Sequence, residues 1–138
     1  MSRQFWADLA EDLKDPEFLR EYVTESVRIA TVDAIINTVD EALRRERLSK
    51  ADLARAIGTQ PATVRRLLSA RNVNPTLGTV AEVAAVLGLR LTLEPIPESD
   101  REIITDPLRT GEATDARRAA QRLTEMRTCR AQQDAVCC

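Results

Sequence analysis

Histidine is absent from this 138-residue chain, and with it the commonest general base and metal ligand. Glycine occurs four times, and no Gly-rich phosphate loop is present. The carboxylates are scattered along solvated helix faces, with no paired acid and base. No apolar run approaches the ~20 residues that cross a bilayer, and the opening MSRQFWADLAEDL is acidic and amphipathic, without the apolar centre of a signal peptide. The three cysteines, Cys129, Cys137 and Cys138, fall in the last ten residues. Terminal thiols can bind metal or sense oxidant, but adjacent Cys137 and Cys138 chelate poorly and a fourth ligand is missing. These absences exclude most catalytic, metal-dependent and membrane classes. The expectation is a cytoplasmic protein that is not an enzyme, carries no cofactor and has incidental cysteines in a mobile tail.

Aromatics are equally scarce at 3%, and all four stand early: Phe5, Trp6, Phe18 and Tyr22. Such a cluster is either a local core for the N-terminal helices or an exposed anchor for a partner. Apolar residues still make up 43%, enough for one compact domain with appendages, and the Ala-, Leu-, Val- and Arg-rich composition suits short packed helices. Net charge is −2, which by itself argues against a polyanionic partner, but its distribution reverses that inference. Residues 1–43 carry four basic and ten acidic residues, residues 44–90 nine and three, and residues 91–138 seven and nine. Only the middle segment is basic, as phosphate neutralisation requires.

Along the chain, residues 4–13 read as a short amphipathic helix, broken at Asp15-Pro16. Pro16 and Glu17 then suit the first turn of a second helix whose apolar side is Phe18, Leu19, Tyr22 and Val23. A long helix follows from Thr24 or Ser26 to Arg47, with Val32, Ile35, Ile36, Val39 and Leu43 as its stripe. Ser49 is placed to cap the next helix, with Asp52 as an imperfect capping box. After Pro75, Thr76 can cap a last helix with Leu77, Val80, Val83, Ala84 and Leu87 inward, stopped by Gly88. Leu89-Arg90-Leu91-Thr92-Leu93-Glu94 alternates like a half-buried strand. A lone strand cannot satisfy its own backbone, so Arg90, Leu91, Thr92 and Leu93 are expected to pair with a symmetry mate or another chain. Residues 96–138 read as a tail that is partly disordered or weakly helical, with a thin apolar face at Ala116, Ala119, Ala120, Leu123 and Met126.

The centre of the basic segment is KADLARAIGTQPATVRRLLS, residues 50–69. Leu53, Ala54 and Ile57 share one helical face, and Val64, Leu67 and Leu68 share another. Between them Gly58 permits a left-handed turn, and Ala54 is small where two helices would cross closely. Any two helices of a small bundle could share this pattern, but the spacing is that of a helix-turn-helix. Its second helix runs from near Gln60 to about Ala70 with Pro61 in the first turn. Gln60, Pro61, Ala62, Thr63, Arg65 and Arg66 then stand at its groove-facing end. Arg65 and Arg66 suit bidentate contact with guanine, and Ala62 and the Thr63 methyl suit a thymine methyl. Gln60 and Thr63 can also meet phosphate, while Arg44, Arg45, Lys50 and Arg71 suit backbone positioning. One such module buries little surface, so specificity implies a homodimer on two half-sites of double-stranded DNA about one turn apart.

Residues from about 43 to 93, with LSKADLARAIGTQPATVRRLLS followed by NPTLGTVAEVAAVLGLRLTL, resemble the XRE (Cro/repressor-like) helix-turn-helix family. The chain departs from the usual pattern at Ala70, where glycine often ends the helix, and at Val73, in a slightly longer loop. DLKDPEFLREYV before the long helix resembles the HigA-type, addiction-module antidote branch. The resemblance implies an XRE-like helix-turn-helix domain. The chain as a whole is expected to be mainly all-α, with a five-helix domain over residues 26–95 that ends in the one short C-terminal strand, acidic N-terminal helices before it (1–25), and the tail (96–138), which lies outside the resemblance, after it. The resemblance also implies a repressor that is the antitoxin of a type II pair, neutralising a small basic RelE/HigB-like mRNA-cleaving toxin and autoregulating its operon. A general XRE regulator without a toxin, or an adaptor using the same helices for protein contacts, remain the alternatives.

Overall fold

The computed structural model describes residues 2–69 and 74–128. Its helices are α1 (Arg3–Asp12), α2 (Pro16–Arg45), α3 (Lys50–Ile57), α4 (Pro61–Leu67), α5 (Leu77–Val86), α6 (Glu98–Asp100), a π-helical turn (Arg101–Thr105), α7 (Asp106–Thr110) and α8 (Ala116–Thr128). None of the described helices is long and apolar enough to cross a membrane. Ala70, Arg71, Val73 and the three cysteines lie outside the described residues, together with what the sequence suggested for them.

Two compact units emerge: residues 32–94 form one, and residues 1–31 with 95–138 form the other. The sequence segments 1–25 and 96–138 therefore fall within a single unit. In that unit α1 packs against α8. Ser2 caps α1 by accepting from the Phe5 N–H at 3.1 Å, and Asp115 accepts from the Arg118 N–H at 3.1 Å to start α8. The core is Leu9, Leu13, Leu19, Val23, Ile103, Ala119, Ala120 and Leu123, with Trp6, Phe18 and Tyr22 packed half-buried around it. Three of the four aromatics thus serve a local core. Phe5 stays 40% exposed, edge-on to Trp6 with ring centroids 5.1 Å apart. A polar clasp borders this core. The Arg127 guanidinium lies 4.1 Å over the Tyr22 ring and donates to Ser26 Oγ at 2.7 Å and to the Tyr22 carbonyl at 3.2 Å. Tyr22 and Thr124 share a hydroxyl hydrogen bond of 3.0 Å.

Two expectations need correction. The helix beginning at Pro16 and the one expected from Thr24 or Ser26 are a single 30-residue helix, α2. Ser26 is buried within it, and its hydroxyl donates to the Tyr22 carbonyl one turn back at 2.7 Å. The second correction concerns the strand. Among the described residues none forms, and residues 89–97 carry no regular secondary structure. The Leu89 N–H closes the turn after α5 by donating to Ala84 O at 2.8 Å, and beyond it no described backbone partner meets residues 90–96. With no second strand to pair with, the alternation of Arg90, Leu91, Thr92 and Leu93 does not make a ladder in one chain. In the described part of the tail, residues 98–128 are mostly helical, and Ile103, Ala119, Ala120 and Leu123 are buried.

The second unit is built from the C-terminal part of α2 with α3, α4 and α5. Ile36, Val39, Ala42 and Leu43 of α2 meet Leu53 and Ala54 of α3, Val64 and Leu68 around α4, and Val83 and Leu87 around α5. Ala54 has no exposed surface, as expected of a small residue at a close helix crossing. The expected core face of the last helix holds at Val80, Val83, Ala84 and Leu87, whereas Leu77 is 76% exposed.

Candidate nucleic-acid interface

The turn between α3 and α4 fixes everything on its outer surface. α3 begins with a complete capping box: Ser49 Oγ accepts from the Asp52 N–H at 3.0 Å, and Asp52 Oδ2 accepts from the Ser49 N–H at 2.9 Å. The backbone N–H of Ser49, and then its hydroxyl, hold the exposed Asp52 carboxyl below its usual range; the Arg55 guanidinium adds a smaller push the same way. α3 ends at Gly58, whose φ of 71° and ψ of 37° are left-handed. Thr59 N–H reaches back to Ala54 O at 2.9 Å, satisfying a carbonyl that the helix end would otherwise leave open.

Gln60 is extended (φ −83°, ψ 145°) and its side chain makes no capping bond. Pro61 then opens α4 with its φ already helical. In α4 Val64 is fully buried, Leu68 just beyond is 8% exposed, and Leu67 packs half-buried on the same core. Ala62, Thr63, Arg65 and Arg66 are exposed. Spacings of three and four residues put Ala62, Arg65 and Arg66 on one outer face. α4 ends at Leu67, short of the expected position 70. Leu68 N–H still donates to Val64 O at 3.0 Å, while Ser69 N–H turns to Arg66 O at 3.2 Å.

Three further cations of this unit stand at helix ends. Arg44 and Arg45 are exposed in the last turn of α2, and Lys50 is exposed in the first turn of α3. Arg44, Arg45, Lys50, Arg65 and Arg66 form no ion pair among the described residues, whereas Arg55 is held by Asp52. Five cations without partners are an electrostatic cost in an isolated chain and an asset beside a polyanion. Sequence reasoning counted Arg47 as a charge but missed its backbone role. With φ at 56° it is the one non-glycine residue of positive φ among the described residues, and it ends α2. There Leu48 N–H bonds Leu43 O at 3.0 Å and its side chain packs on the core. A three-residue link between Arg45 and a capping serine was the available signal.

Residues 38–92 match the family model described as the Cro/C1-type HTH DNA-binding domain. That match spans α3, α4 and α5 with the end of α2, and it supports an XRE-like helix-turn-helix and a DNA-binding regulator. No curated protein matches the chain, and no solved structure does.

Proposed function

We propose that this protein is a sequence-specific transcriptional repressor that binds operator DNA as a homodimer. The observation that carries the reading is the pair Arg65 and Arg66, exposed and without ion-pair partners among the described residues, on a helix seated by fully buried Val64. With α4 in the major groove, both guanidiniums stand where guanine O6 and N7 can accept two hydrogen bonds, and Ala62 and Thr63 offer methyl contacts to thymine. Gln60, Lys50, Arg44 and Arg45 hold the sugar-phosphate backbone and set the register. Its finer role is that of an antitoxin autoregulating a toxin operon. The resemblance of DLKDPEFLREYV to the antidote branch supports this, as do the ten acidic residues among the first 43, which suit a small basic partner.

A salt titration of the full chain on the DNA upstream of its own coding sequence tests the repressor. Log affinity should fall linearly with log salt by about 0.9 for every phosphate neutralised. Arg65→Ala and Arg66→Ala should each cost about 1–3 kcal/mol and relax base preference. Absence of any DNA shift at low salt, with salt-insensitive protein binding instead, would establish the adaptor. A small basic protein encoded beside this one and bound by it tests the antitoxin role separately.

A further inference from the structure

A cleft of about 250 Å³ opens between α8 and the helical segment 98–105, within the unit of residues 1–31 and 95–138. Arg118, Gln121, Arg122 and Glu125 line it from α8 at spacings of three and four residues, one face of that helix. Ser99, Asp100 and the buried Ile103 line it from the facing segment. That wall contains the π-helical turn Arg101–Thr105, closed by the Asp106 N–H donating to the Arg101 carbonyl five residues back. Such turns are rare and frequently sit at functional sites. Salt bridges set the direction in which the walls run. Arg118 pairs with Glu102 at 3.1 Å, and Arg122 pairs with Asp100 through Nε at 3.2 Å and Nη2 at 3.4 Å. The two segments therefore run antiparallel. α8 carries Glu125 about 10 Å along its axis from Arg118, and Ser99 falls toward the Glu125 end.

Only part of the bonding capacity of this lining is used. Arg122 is committed to Asp100 through two nitrogens. Arg118 engages Nη1 alone, which leaves Nε and Nη2 as donors. The Gln121 amide and the Ser99 hydroxyl have no hydrogen-bond partner among the described residues. The Glu125 carboxylate meets Nη1 of Arg122 at 3.6 Å, beyond hydrogen-bond reach. Donors are thus left at one end, on Arg118 and Gln121, and acceptors at the other, on Glu125 and Ser99. Among the lining residues two arginines balance two carboxylates, so the cleft as a whole favours neither an anion nor a cation. A small molecule bearing both charges satisfies both ends. We propose that this cleft binds a free α-amino acid. Its carboxylate accepts from Arg118 and the Gln121 amide, and its ammonium donates to the Glu125 carboxylate and Ser99 Oγ. Its carbon chain lies over Ile103, while the Arg122–Asp100 bridge holds the two walls together.

Isothermal titration of the full chain with each of the standard amino acids, singly and near neutral pH, tests the assignment without DNA. At least one should bind with a Kd below about 1 mM and raise the melting temperature. The N-acetyl form and the amide of that amino acid should each bind at least about tenfold more weakly, because each lacks one charged end. Glu125→Gln and Gln121→Glu should weaken binding by a similar factor. The first removes the acceptor charge for the ammonium; the second sets a like charge against the carboxylate. Glu82→Gln, exposed on α5 and outside the cleft, should leave binding unchanged. Circular dichroism of the free variants checks that they fold. Ser99→Ala removes a hydroxyl that bonds nothing among the described residues, so its expected loss of about threefold reads the ligand contact alone. If no amino acid binds at about 10 mM, the site is overturned. Equal binding of the acetylated or amide form, tighter binding of putrescine or acetate than of any amino acid, or cleft variants without effect would overturn the zwitterion assignment.

Discussion

Val64→Ala separates the seating of α4 from whatever its outer face touches. Val64 has no exposed surface and lies in the core with Leu53, Ala54 and Leu68. Trimming it removes two buried methyl groups, a transfer loss of ~1.6 kcal/mol at ~0.8 kcal/mol each. The space vacated, at most about 50 Å³, adds about 1 kcal/mol at ~24 cal/mol per Å³. Alanine's better helix propensity returns about 0.5 kcal/mol, leaving a net loss of about 2 kcal/mol. Thr63→Ala, one residue earlier and exposed, should change stability by no more than about 0.5 kcal/mol, in the stabilising direction. Urea denaturation followed at 222 nm, with hydrogen exchange over residues 50–67 to localise the effect, reads both variants. A midpoint shift without a change of slope marks a true stability loss. If V64A costs less than about 1 kcal/mol, or T63A costs as much, α4 is not anchored through Val64 and the outward presentation of Arg65 and Arg66 loses its basis.

Four further outcomes follow from helix ends. Ser49→Ala should destabilise by about 1 kcal/mol, since one substitution removes a cap from α3. Folding holds the Asp52 carboxyl below the ordinary 3.8, so its contribution is fully present above that value and is lost as pH falls through the lowered one; Asp52→Asn should flatten that part of an acid titration of stability. Arg47→Gly should raise stability by roughly 1 kcal/mol by relieving the left-handed backbone at φ 56°, measured by the same urea midpoint. Gly111→Ala should cost more than Gly58→Ala in thermal melts. Both sites have positive φ, but a Cβ at 58 meets nothing within 4 Å, whereas at 111 it comes within 3.2 Å of Pro16 Cβ and 3.1 Å of an Arg20 guanidinium nitrogen. Gly58→Ala sets the backbone cost alone, about 1–2 kcal/mol.

The features most legible in the sequence are those governed by one residue and its immediate neighbours. Ser49, Gly58, Pro61 and Thr76 each announce a helix boundary because capping and left-handed turns are local requirements, and the structure places the boundaries there. The inward set Val64, Leu67 and Leu68 is equally local, being a matter of helical period. The start of the long helix at Thr24 or Ser26 misled because the polar run Thr24, Glu25 and Ser26 interrupts the apolar pattern, while the acceptor of the Ser26 hydroxyl, the Tyr22 carbonyl, and its donor, Arg127, lie one turn back and a hundred residues on. The packing of residues 98–128 was less legible for a related reason. Ala119, Ala120 and Leu123 make a thin apolar face taken alone, but it suffices against Leu9, Leu13 and Leu19. Strand alternation at Leu89 to Glu94 is real as a pattern, yet a ladder is a property of two segments and the pattern names only one. Within the candidate interface, the outward residues were legible from period; the absence of ion-pair partners for Arg65 and Arg66 was not, since salt bridges depend on tertiary neighbours.

The unit that joins residues 1–31 to 95–138 has a consequence for the order of events during synthesis. Leu9, Leu13, Leu19 and Val23 leave the ribosome early, but Ala119, Ala120 and Leu123, which cover them, are made more than ninety residues later. Residues 32–94 can complete their own core in the interval, so the helix-turn-helix is finished before the unit closed by both ends of the chain. A nascent or C-terminally clipped chain would therefore carry a finished helix-turn-helix together with an uncovered apolar helix pair. That combination leaves the incomplete product with exposed apolar surface while its helix-turn-helix is already closed.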